Sequence, residues 1–475
     1  MANSLHCLTK ESIIRRELLF HIDDTVSASI LYETERNLRN LGFIGDVKVQ
    51  SSSNNDSSAD VTVTTYDKWT LNFDSYLQRE GGITSYGLSA GDDNFLGSGK
   101  SISLGYNYVS DRNDPNGYSG IYRDRRIFGY DLNTVLQYKY SEDLKIRTIL
   151  LEKPFYTEAT QTSFGMYAEK GVEKERYFNN GLLINESYLN FSSYKTWGIY
   201  SINDEHKYRF GAAFINQTEQ VNEDFEYSFP VMSLVTVSAG ILKRDFIPEH
   251  FINNLGVVED IPFGYSSSLI AGKVLNQSKS YYVLQSNQIS TFLSKAFFQA
   301  CASIQGFVVN NFFSDESVIF QQYFFYQTSP QNTIASRLYY LKGIDWSTGH
   351  QIYLDSKNGL RGIEAFSLSG NSVVTWNIEN RLSPDWNWWI LKFGIVGFVD
   401  LGAISNAPTG LINAKLYKSI GFGIRVFNSK QQGSGLIRID FAYNAEKKSS
   451  EIILSSDQLF SAFQEMDIAS PLVGQ

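Results

Sequence analysis

The chain is poor in several residue types, and each shortage excludes a class of protein. It has 2 cysteines in 475 residues, Cys7 and Cys301, which are too few for a disulfide framework. Its 5 histidines are scattered and no pair has metal-ligand spacing beside a carboxylate, so neither a metal nor another cofactor is expected. No apolar run approaches the roughly 18 residues of a membrane-spanning helix, which excludes a helical membrane protein. The net charge of -9, without a block of either sign, argues against nucleic acid as a partner.

Aromatic residues, in contrast, are abundant, at 15% of the chain. From Trp69 onward apolar and polar residues alternate in most segments, for example over 101–108 and 130–140, which is the period of a β-strand with two unlike faces. Such alternation fits a soluble β-sandwich, and it also fits a transmembrane β-barrel whose apolar face contacts lipid. The aromatic content, strand lengths close to the roughly 9–11 residues of a tilted span, and the mixture of short and long connections favour the barrel.

Residues 8–66 follow a different pattern. Segments 9–18 and 27–41 carry apolar residues at helical spacing, and Gly42 ends the second of them. Two alternating segments then flank a polar turn at 51–58. The order helix, helix, strand, strand predicts a small α+β domain over residues 1–66, followed by the barrel over residues 67–475.

One short motif suggests catalysis. The stretch GLSAG at 87–91 matches the G-x-S-x-G pattern, in which Ser89 would be a nucleophile. That chemistry needs a sharp turn from a strand into a helix, whereas this match lies inside an alternating segment that leads to a turn and another strand. Small residues on the inner face of a strand explain it better. We therefore expect no catalytic residue and no enzyme activity.

The stretch NGLRGIEAFSLSGN, residues 358–371, places Arg361 on a glycine-containing loop between alternating segments. Alternation puts Glu379 of SVVTWNIENRL and Asp400 of FGIVGFVDLGAI on the inner faces of two later strands. Carboxylates in such a place are least costly when a cation meets them, and a guanidinium offers a planar fork that suits them. Arg361 is therefore a candidate partner, for Asp400 first and Glu379 second. Spacing alone leaves open an arginine that lies in solvent.

Several fragments together resemble a known family. In order, GLRGIEAFSLSGN, WNIENRL, GFVDLG, GFGIRVF and GLIRIDFAY resemble the end of the BamA/TamA-like outer-membrane assembly barrels. GDDNFLGSGKSISLGY, LLEKPFY and VEDIPFGYS resemble other elements of these barrels, and the N-terminal helices with DVKV resemble a POTRA domain, the periplasmic module that precedes them. The resemblance covers nearly the whole chain. The family's signature loop corresponds to Leu360, Arg361, Gly362 and Ile363, and its inner acidic residues correspond to Glu379 and Asp400.

The resemblance implies an all-β transmembrane barrel of about 16 antiparallel strands. A small α+β POTRA domain without its first strand would precede it, and a loop near residues 345–370 would fold into the barrel after strand 11. The first barrel strand is expected near 69–77 and the last near 450–460, so that the two meet edge to edge. Ile363 departs from the pattern, because an aromatic is usual there, and Phe366 is a nearby substitute. The chain also continues past Phe460, where such barrels usually end.

The function implied is the insertion, assembly or translocation of other outer-membrane proteins through the seam between the first and last strands. Outer-membrane lipids and unfolded outer-membrane client proteins are the expected partners, with periplasmic lipoproteins or chaperones as candidate partners of the POTRA domain. The barrel would lie in the bacterial outer membrane and the POTRA domain in the periplasm. Two alternatives stay open: a transporter of the two-partner secretion type, and a passive porin-like or structural barrel.

Overall fold

A computed structural model describes residues 7–39, 41–53, 58–157, 160–203, 205–221, 231–249, 252, 259–277, 279–346, 351–384, 386–388, 391–406, 410–428, 436–456 and 458–462. Among them, no helix is both long and apolar enough to cross a membrane.

The first described residues form a small α/β unit, which we call the N-terminal unit. It consists of helices α1 Glu11–Arg15 and α2 Ala28–Arg39 and of strands β1 Ile44–Ser53 and β2 Ala59–Asp67, which pair with each other. Its core contains Ile13, Leu38, Leu41, Phe43, Ile44 and Val47. The expected POTRA domain is not found: α1 has only 5 residues and the sheet, in the part of the chain described, has two strands, so this unit has no clear POTRA fold.

The remaining strands form a closed antiparallel barrel. Within the described ranges the wall has twenty strands and one short additional strand. The first part of the wall comprises β3 Leu71–Glu80, β4 Ile83–Asp92, β5 Lys100–Val109, β6 Asn116–Asp124, β7 Asn133–Tyr140, β8 Leu144–Lys153, β9 Thr162–Asn179, β10 Leu182–Asn203, β11 Lys207–Val221, β12 Val231–Glu249, β13 Glu259–Val274, β14 Ser280–Leu293, β15 Ala296–Val309, β16 Phe312–Ser329 and β17 Asn332–Ile344. A separate short pair follows, β18 Ile352–Tyr353 and β19 Ser369–Gly370. The wall is completed by β20 Ser372–Leu382, the short β21 Asn387–Trp388, β22 Leu391–Ser405, β23 Leu416–Asn428, β24 Leu436–Asn444 and β25 Ser449–Ser455.

The expected number of about 16 strands is therefore wrong. Fifteen wall strands, rather than eleven, precede residue 345, because every strand from β3 to β17 pairs within the wall and none forms a separate hairpin. Alternation determines the two faces of each strand, but it does not determine how many strands the barrel needs to close.

Strand β24 shows how the wall is built, since its burial alternates at every position. Its exposed side chains are the apolar Ile437, Ile439, Phe441 and Tyr443, whereas Arg438, Asp440 and Asn444 are buried on the inner face. An apolar exterior around a polar interior is the reverse of a soluble sandwich. The barrel alternative is therefore the correct one, and the arrangement is that of a transmembrane β-barrel.

The N-terminal unit lies against one end of the barrel, which we call the near end. The backbone N–H of Lys10 donates to the carbonyl of Gly97, in the turn between β4 and β5, at 3.0 Å. Nε of Arg126, in the turn between β6 and β7, donates to Oε1 of Glu17 at 2.8 Å, and both residues are buried. Because β17 runs away from the N-terminal unit, the connection from β17 to β20 begins at the opposite end, the far end.

Candidate functional site: the inward loop and the barrel seam

The connection from β17 to β20 folds back into the lumen, and we call residues 351–371 the inward loop. Strands β18 and β19 form its stem. The carboxylate of Asp355 organises its tip by accepting hydrogen bonds from the backbone N–H groups of Lys357 and Asn358 at 3.1 Å and of Phe366 at 2.9 Å. The loop packs on the wall through an apolar cluster that includes Ile352, Leu354, Leu360, Ile363, Leu368 and Val373. The loop therefore has a folded structure of its own.

Two glycines let the chain turn on each side of Arg361. Gly359 has φ +103° and Gly362 has φ +83°, a left-handed region that glycine adopts without steric cost. A Cβ atom at Gly359 would lie 2.3 Å from Nη2 of Arg337, so a larger residue here would displace the end of that side chain. The glycines thus place Arg361 at the innermost turn of the loop.

Arg361 is fully buried and meets three carboxylates. Its Nε and Nη2 donate to Oδ2 and Oδ1 of Asp400 at 2.7 and 2.8 Å, and its Nη1 donates both to Oε1 of Glu379 and to Oδ2 of Asp440 at 2.9 Å. Its guanidinium carbon also lies 3.4 Å from the ring centroid of Phe398. A planar guanidinium can make this bidentate and stacked set of contacts, whereas a lysine ammonium cannot.

The structure brings the sequence-predicted site residues into one buried region of the lumen. Leu360, Arg361, Gly362, Ile363, Glu379 and Asp400 are all buried there. Asn377 joins them, since its Nδ2 donates to the carbonyl of Gly359 at 2.6 Å and to Oδ1 of Asp400 at 2.7 Å. The role of these residues in a function stays a prediction.

Sequence reasoning missed the third carboxylate and the cations around it. Asp440 accepts hydrogen bonds from Nη1 of Arg425 at 2.5 Å and from Nη1 of Arg438 at 3.4 Å. Arg438, on β24, also donates to Glu80 at the end of β3. Alternation in GLIRIDFAY does place Arg438 and Asp440 on the inner face, but no local spacing shows that they meet Arg361 or Glu80.

Strands β3 and β25 close the barrel, and we call their contact the seam. Across the described residues of these two strands a single residue pair is aligned, Leu454 with Arg79. The same strand β25 is aligned with β24 along its whole length, from Ser449 to Ser455. The barrel is therefore closed at the seam by far less backbone pairing than between neighbouring strands.

Among the described residues, one edge of β3 has no strand neighbour over most of its length. From Leu71 to Gln78, no residue of β3 is aligned with β25. The side chains from Phe73 to Leu77 are exposed at every position, so both faces of this stretch are accessible, in contrast to the strict alternation in β24. The exposure of both faces of this stretch is consistent with the lack of a paired strand beside it among the described residues.

The inward loop bridges the far end of the seam. The N–H of Ala365 donates to the carbonyl of Gly81, just after β3, at 2.9 Å. On the other side, the N–H of Gly362 donates to Oε2 of Glu451 at 3.2 Å, and Oγ of Ser449 donates to the carbonyl of Gly362 at 2.8 Å. Glu451 also accepts a hydrogen bond from the N–H of Gly81, directly across the seam. The loop thus replaces part of the missing ladder with its own contacts.

The departure at Ile363 has a structural explanation. Ile363 is 1% exposed and belongs to the apolar cluster that holds the loop on the wall. Phe366 does not take its place: its ring stacks on Phe178 of β9 with centroids 4.2 Å apart, and it also meets Tyr353 edge-on at 5.1 Å. The aromatic contact is therefore directed to the hairpin of β9 and β10 at the far end.

Beyond β25 the chain turns into the lumen at the near end, and we call residues 458–462 the C-terminal segment. The expected last strand over 450–460 is wrong beyond Ser455, where β25 ends. Continuing the register of Leu454 with Arg79 would place Phe460 opposite Phe73 of β3. Instead Phe460 is 4% exposed inside the barrel, because an apolar cluster of the wall surrounds its ring. Because the described part of this segment turns inward, it does not pair with β3.

The described residues show no group of histidine, cysteine, aspartate and glutamate side chains able to hold a metal ion. Ser89 lies in the middle of β4, aligned with Asp74 on one side and with Gly105 on the other. It is thus in an extended strand and not at a turn into a helix, which is where a G-x-S-x-G nucleophile would stand. The absence of enzyme activity stays a prediction.

No protein-family model matches the chain, and no curated protein matches its sequence. Solved structures show distant likenesses. BamA from Haemophilus ducreyi lacking POTRA domains 1-3 is 13% identical, over 94% of this chain and 81% of that one, with a TM-score of 0.45. CdiB from Acinetobacter baumannii is 12% identical, over 95% of this chain and 72% of that one, with a TM-score of 0.47. OccK5 (OpdH) from Pseudomonas aeruginosa is 8% identical, over 81% and 95%, with a TM-score of 0.33.

Proposed function

We propose that this protein is an outer-membrane barrel that assists the insertion or translocation of other outer-membrane proteins, and that a client strand pairs with β3 at the seam. The observation that carries the proposal is the seam itself, where one residue pair joins two strands of a wall that is otherwise continuously paired. Unfolded outer-membrane proteins are the clients, and the outer membrane is the location.

The physical basis is the free energy of the unpaired edge. A backbone N–H or C=O group that has no partner in hydrocarbon costs several kcal/mol, on the order of a lost hydrogen bond in an apolar medium. The edge from Leu71 to Gln78 presents a row of such groups beside lipid. An incoming extended strand satisfies them by β-augmentation, independently of its side chains. One seam can therefore accept clients of different sequence.

The inward loop has a positioning role in this proposal. Arg361 fixes the loop against three wall strands through Glu379 on β20, Asp400 on β22 and Asp440 on β24. The loop in turn holds Gly81 and Glu451 on the two sides of the seam at the far end. The near-end part of the seam is then the part that is free to receive a client.

A passive pore explains this geometry less well than a barrel that accepts client strands. The inward loop enters the lumen from the far end and the C-terminal segment enters it from the near end, and both pack on buried residues. A simple pore needs neither segment, and it needs no unpaired strand edge. The transporter of the two-partner secretion type is the remaining alternative, since it also moves polypeptide.

A disulfide across the seam tests the proposal. Arg79 and Leu454 are aligned partners, so Arg79→Cys with Leu454→Cys, in a background with Cys7→Ser and Cys301→Ser, locks β3 to β25 when oxidised. We expect insertion of client barrels into vesicles that contain the oxidised protein to fall to the level of empty vesicles, and a reductant to restore it. Full insertion by the oxidised protein would reject the seam as the client site.

A matched pair controls for the effect of any new disulfide. Phe441 and Ile452 are aligned on β24 and β25, one strand away from the seam, and both side chains are exposed. Phe441→Cys with Ile452→Cys is expected to leave insertion unchanged in either redox state. In cells, depletion of the protein followed by measurement of other outer-membrane barrels tests the breadth of clients: unchanged levels of all of them would exclude general assembly and favour secretion of a dedicated client.

A further inference from the structure

A second feature of the lumen lies at the near end, away from Arg361. Side chains of β15, β16, β17 and β20 enclose the ring of Phe460 in what we call the aromatic pocket: Phe297, Tyr323, Phe325, Ala335, Arg337 and Arg381. The centroid of the Phe460 ring lies 6.3 Å from that of Tyr323 and 6.4 Å from that of Phe325. The guanidinium carbon of Arg381 lies 4.7 Å from the same ring. Four wall strands therefore build a site for one aromatic side chain.

The pocket also binds the backbone of its occupant. Nη2 of Arg381 donates to the carbonyl of Phe460 at 3.0 Å, and its Nη1 donates to the carbonyl of Ile252 at 3.1 Å. Oε2 of Glu379 accepts a hydrogen bond from Nε of Arg381 at 2.9 Å, which fixes the direction of both donors. A main-chain carbonyl is present in every peptide, so this contact does not depend on sequence, whereas the ring contacts select for an aromatic residue.

Arg337 gives the pocket an unused donor. Its guanidinium carbon lies 6.0 Å from the centroid of Phe460, and its Nη2 has only a long contact to Oγ1 of Thr375 at 3.5 Å. Its Nε is buried and has no hydrogen-bond acceptor among the described residues. The pocket therefore has capacity for one more acceptor than the C-terminal segment provides.

Phe460 occupies the pocket but lies on a segment that forms no part of the pocket walls. The C-terminal segment follows β25 and belongs to none of the four strands that form the pocket. Gln458 of the same segment accepts a hydrogen bond at its Oε1 from Nε of Arg425 at 3.1 Å. If the segment left the lumen, the register of the seam would let it pair along β3. Leaving the pocket thus breaks no strand of the wall and offers the segment a second place to bind.

We propose that the aromatic pocket is a binding site for an extended peptide that carries an aromatic residue, and that Phe460 occupies it as a competitor supplied by the chain itself. A peptide that takes the pocket releases the C-terminal segment to pair with β3, so occupancy of the pocket and closure of the seam are linked. Binding to the pocket does not depend on the function proposed for the seam, because the walls of the pocket lie in β15–β17 and β20.

Peptide binding to the full-length protein in detergent micelles tests the proposal. The probe is a fluorescent peptide with the sequence SDQLFSA of residues 456–462, and the control peptide SDQLASA lacks the aromatic ring. We expect Phe460→Ala to bind the first peptide with a Kd about tenfold or more below that of the wild type, whose pocket is filled. The control peptide is expected to show no saturable binding. Adding Arg381→Gln to Phe460→Ala is expected to weaken binding by about tenfold.

The outcomes separate a binding site from a fixed core contact. If Phe460→Ala keeps heat-modifiable migration on a gel, and therefore its barrel, equal binding of the two peptides overturns the proposal, as does equal binding by wild type and variant. If Phe460→Ala does not fold, Phe460→Leu takes its place: the aromatic peptide must bind it more tightly than the wild type, and equal affinity overturns the proposal. The oxidised seam disulfide leaves the pocket intact, so when it is combined with Phe460→Ala, peptide binding that persists while insertion stops distinguishes this site from the seam.

Discussion

The strand pair β9 and β10 and the strand pair β3 and β25 lie in one barrel, yet they are held together in different ways. β9 and β10 are aligned from Thr162 with Tyr200 to Asn179 with Leu182, the longest described ladder of the wall. β3 and β25 share the pair Leu454 and Arg79. The pattern of alternating residues in β3 is no weaker than in β9, so the difference does not come from the strand sequence itself.

The difference in pairing comes from the path of the residues that follow β25. The residues that would extend β25 along β3 enter the lumen, where Phe460 packs on the wall and Arg381 binds its carbonyl. A ladder of backbone hydrogen bonds, each contributing about 0.5–1.5 kcal/mol, thus competes with one buried aromatic ring and one arginine. At the far end the inward loop supplies contacts to both sides of the seam. A closed barrel can therefore have one side held by a ladder and another held by lumen side chains.

The largest effect is expected where the lumen contacts are concentrated. Arg361→Ala leaves the buried carboxylates of Asp400, Glu379 and Asp440 without their shared partner. Loss of one partner from a buried ion network costs about 3–5 kcal/mol. We expect the temperature at which the folded band disappears on a heat-modifiable gel to fall sharply. Arg147→Ala, at an exposed arginine of β8, is the control and is expected to change it little.

Proline substitutions compare the two strand pairs directly. Successive N–H groups of a strand point to opposite sides, and proline removes one of them together with the ladder hydrogen bond that it makes. Lys195 and Thr196 of β10 have aligned partners on both sides, so both proline variants are expected to lower the temperature at which the folded band disappears, by less than Arg361→Ala does. Asp74 and Ser75 of β3 are aligned only with β4, so one of these two variants is expected to fold normally. Equal damage at both β3 positions would show that its outer edge is paired.

A smaller effect is expected at the contact that crosses the seam. Glu451→Gln weakens the hydrogen bonds from the N–H groups of Gly81 and Gly362, because a neutral amide oxygen replaces a carboxylate. The expected loss is about 1–3 kcal/mol, together with faster cleavage of the seam strands by protease. Glu446→Gln, at a turn acid that accepts from the N–H of Lys418, is the matched control. If both variants are cleaved at the same rate, Glu451 does not hold the seam.

The smallest effect concerns the last turns and strand ends at the far end of β9. Glu142, in the turn between β7 and β8, accepts hydrogen bonds from Nζ of Lys174 at 2.9 Å and from Nη2 of Arg176 at 3.2 Å. Burial alone would raise the pKa of Glu142, but the hydrogen bond and charge of Lys174 and the charge of Arg176 lower it to about 2.

The lowered pKa gives the direction of the pH dependence. A carboxyl group with a lowered pKa stabilises the folded state above its unfolded pKa of about 4.3, and this contribution is lost as the pH falls toward 2. We expect protease cleavage of the β9–β10 hairpin to increase over that range in the wild type. In Glu142→Gln the cleavage is expected to be faster at neutral pH and to depend less on pH. A wild-type hairpin with the same cleavage rate throughout would contradict this role of Glu142.

The inner-face acids of the site could be predicted from the sequence, because side chains alternate between the two faces of a strand. Alternation is local, so it places Glu379 and Asp400 on the inner face without knowledge of the fold. The contact of Asp440 with Arg361 and that of Arg438 with Glu80 depend on which strands become neighbours when the barrel closes, which no local pattern contains. For the same reason the predicted number of strands was wrong. The inward turn of Phe460 was missed because it depends on whether the C-terminal segment binds in the lumen or along β3, and neither site is close in sequence.

The anchoring of the N-terminal unit has a mechanical consequence. Its described contacts, through Gly97 and Arg126, are to turns on the β3 side of the seam. The buried ion pair between Glu17 and Arg126 strengthens that attachment, so we expect the unit to move together with the β3 side of the barrel wall. If a client widens the seam as proposed, we expect the unit and the outer edge of β3 to separate together from β25 and to keep their relative position. A polypeptide held by the unit would then stay beside the same edge throughout the movement.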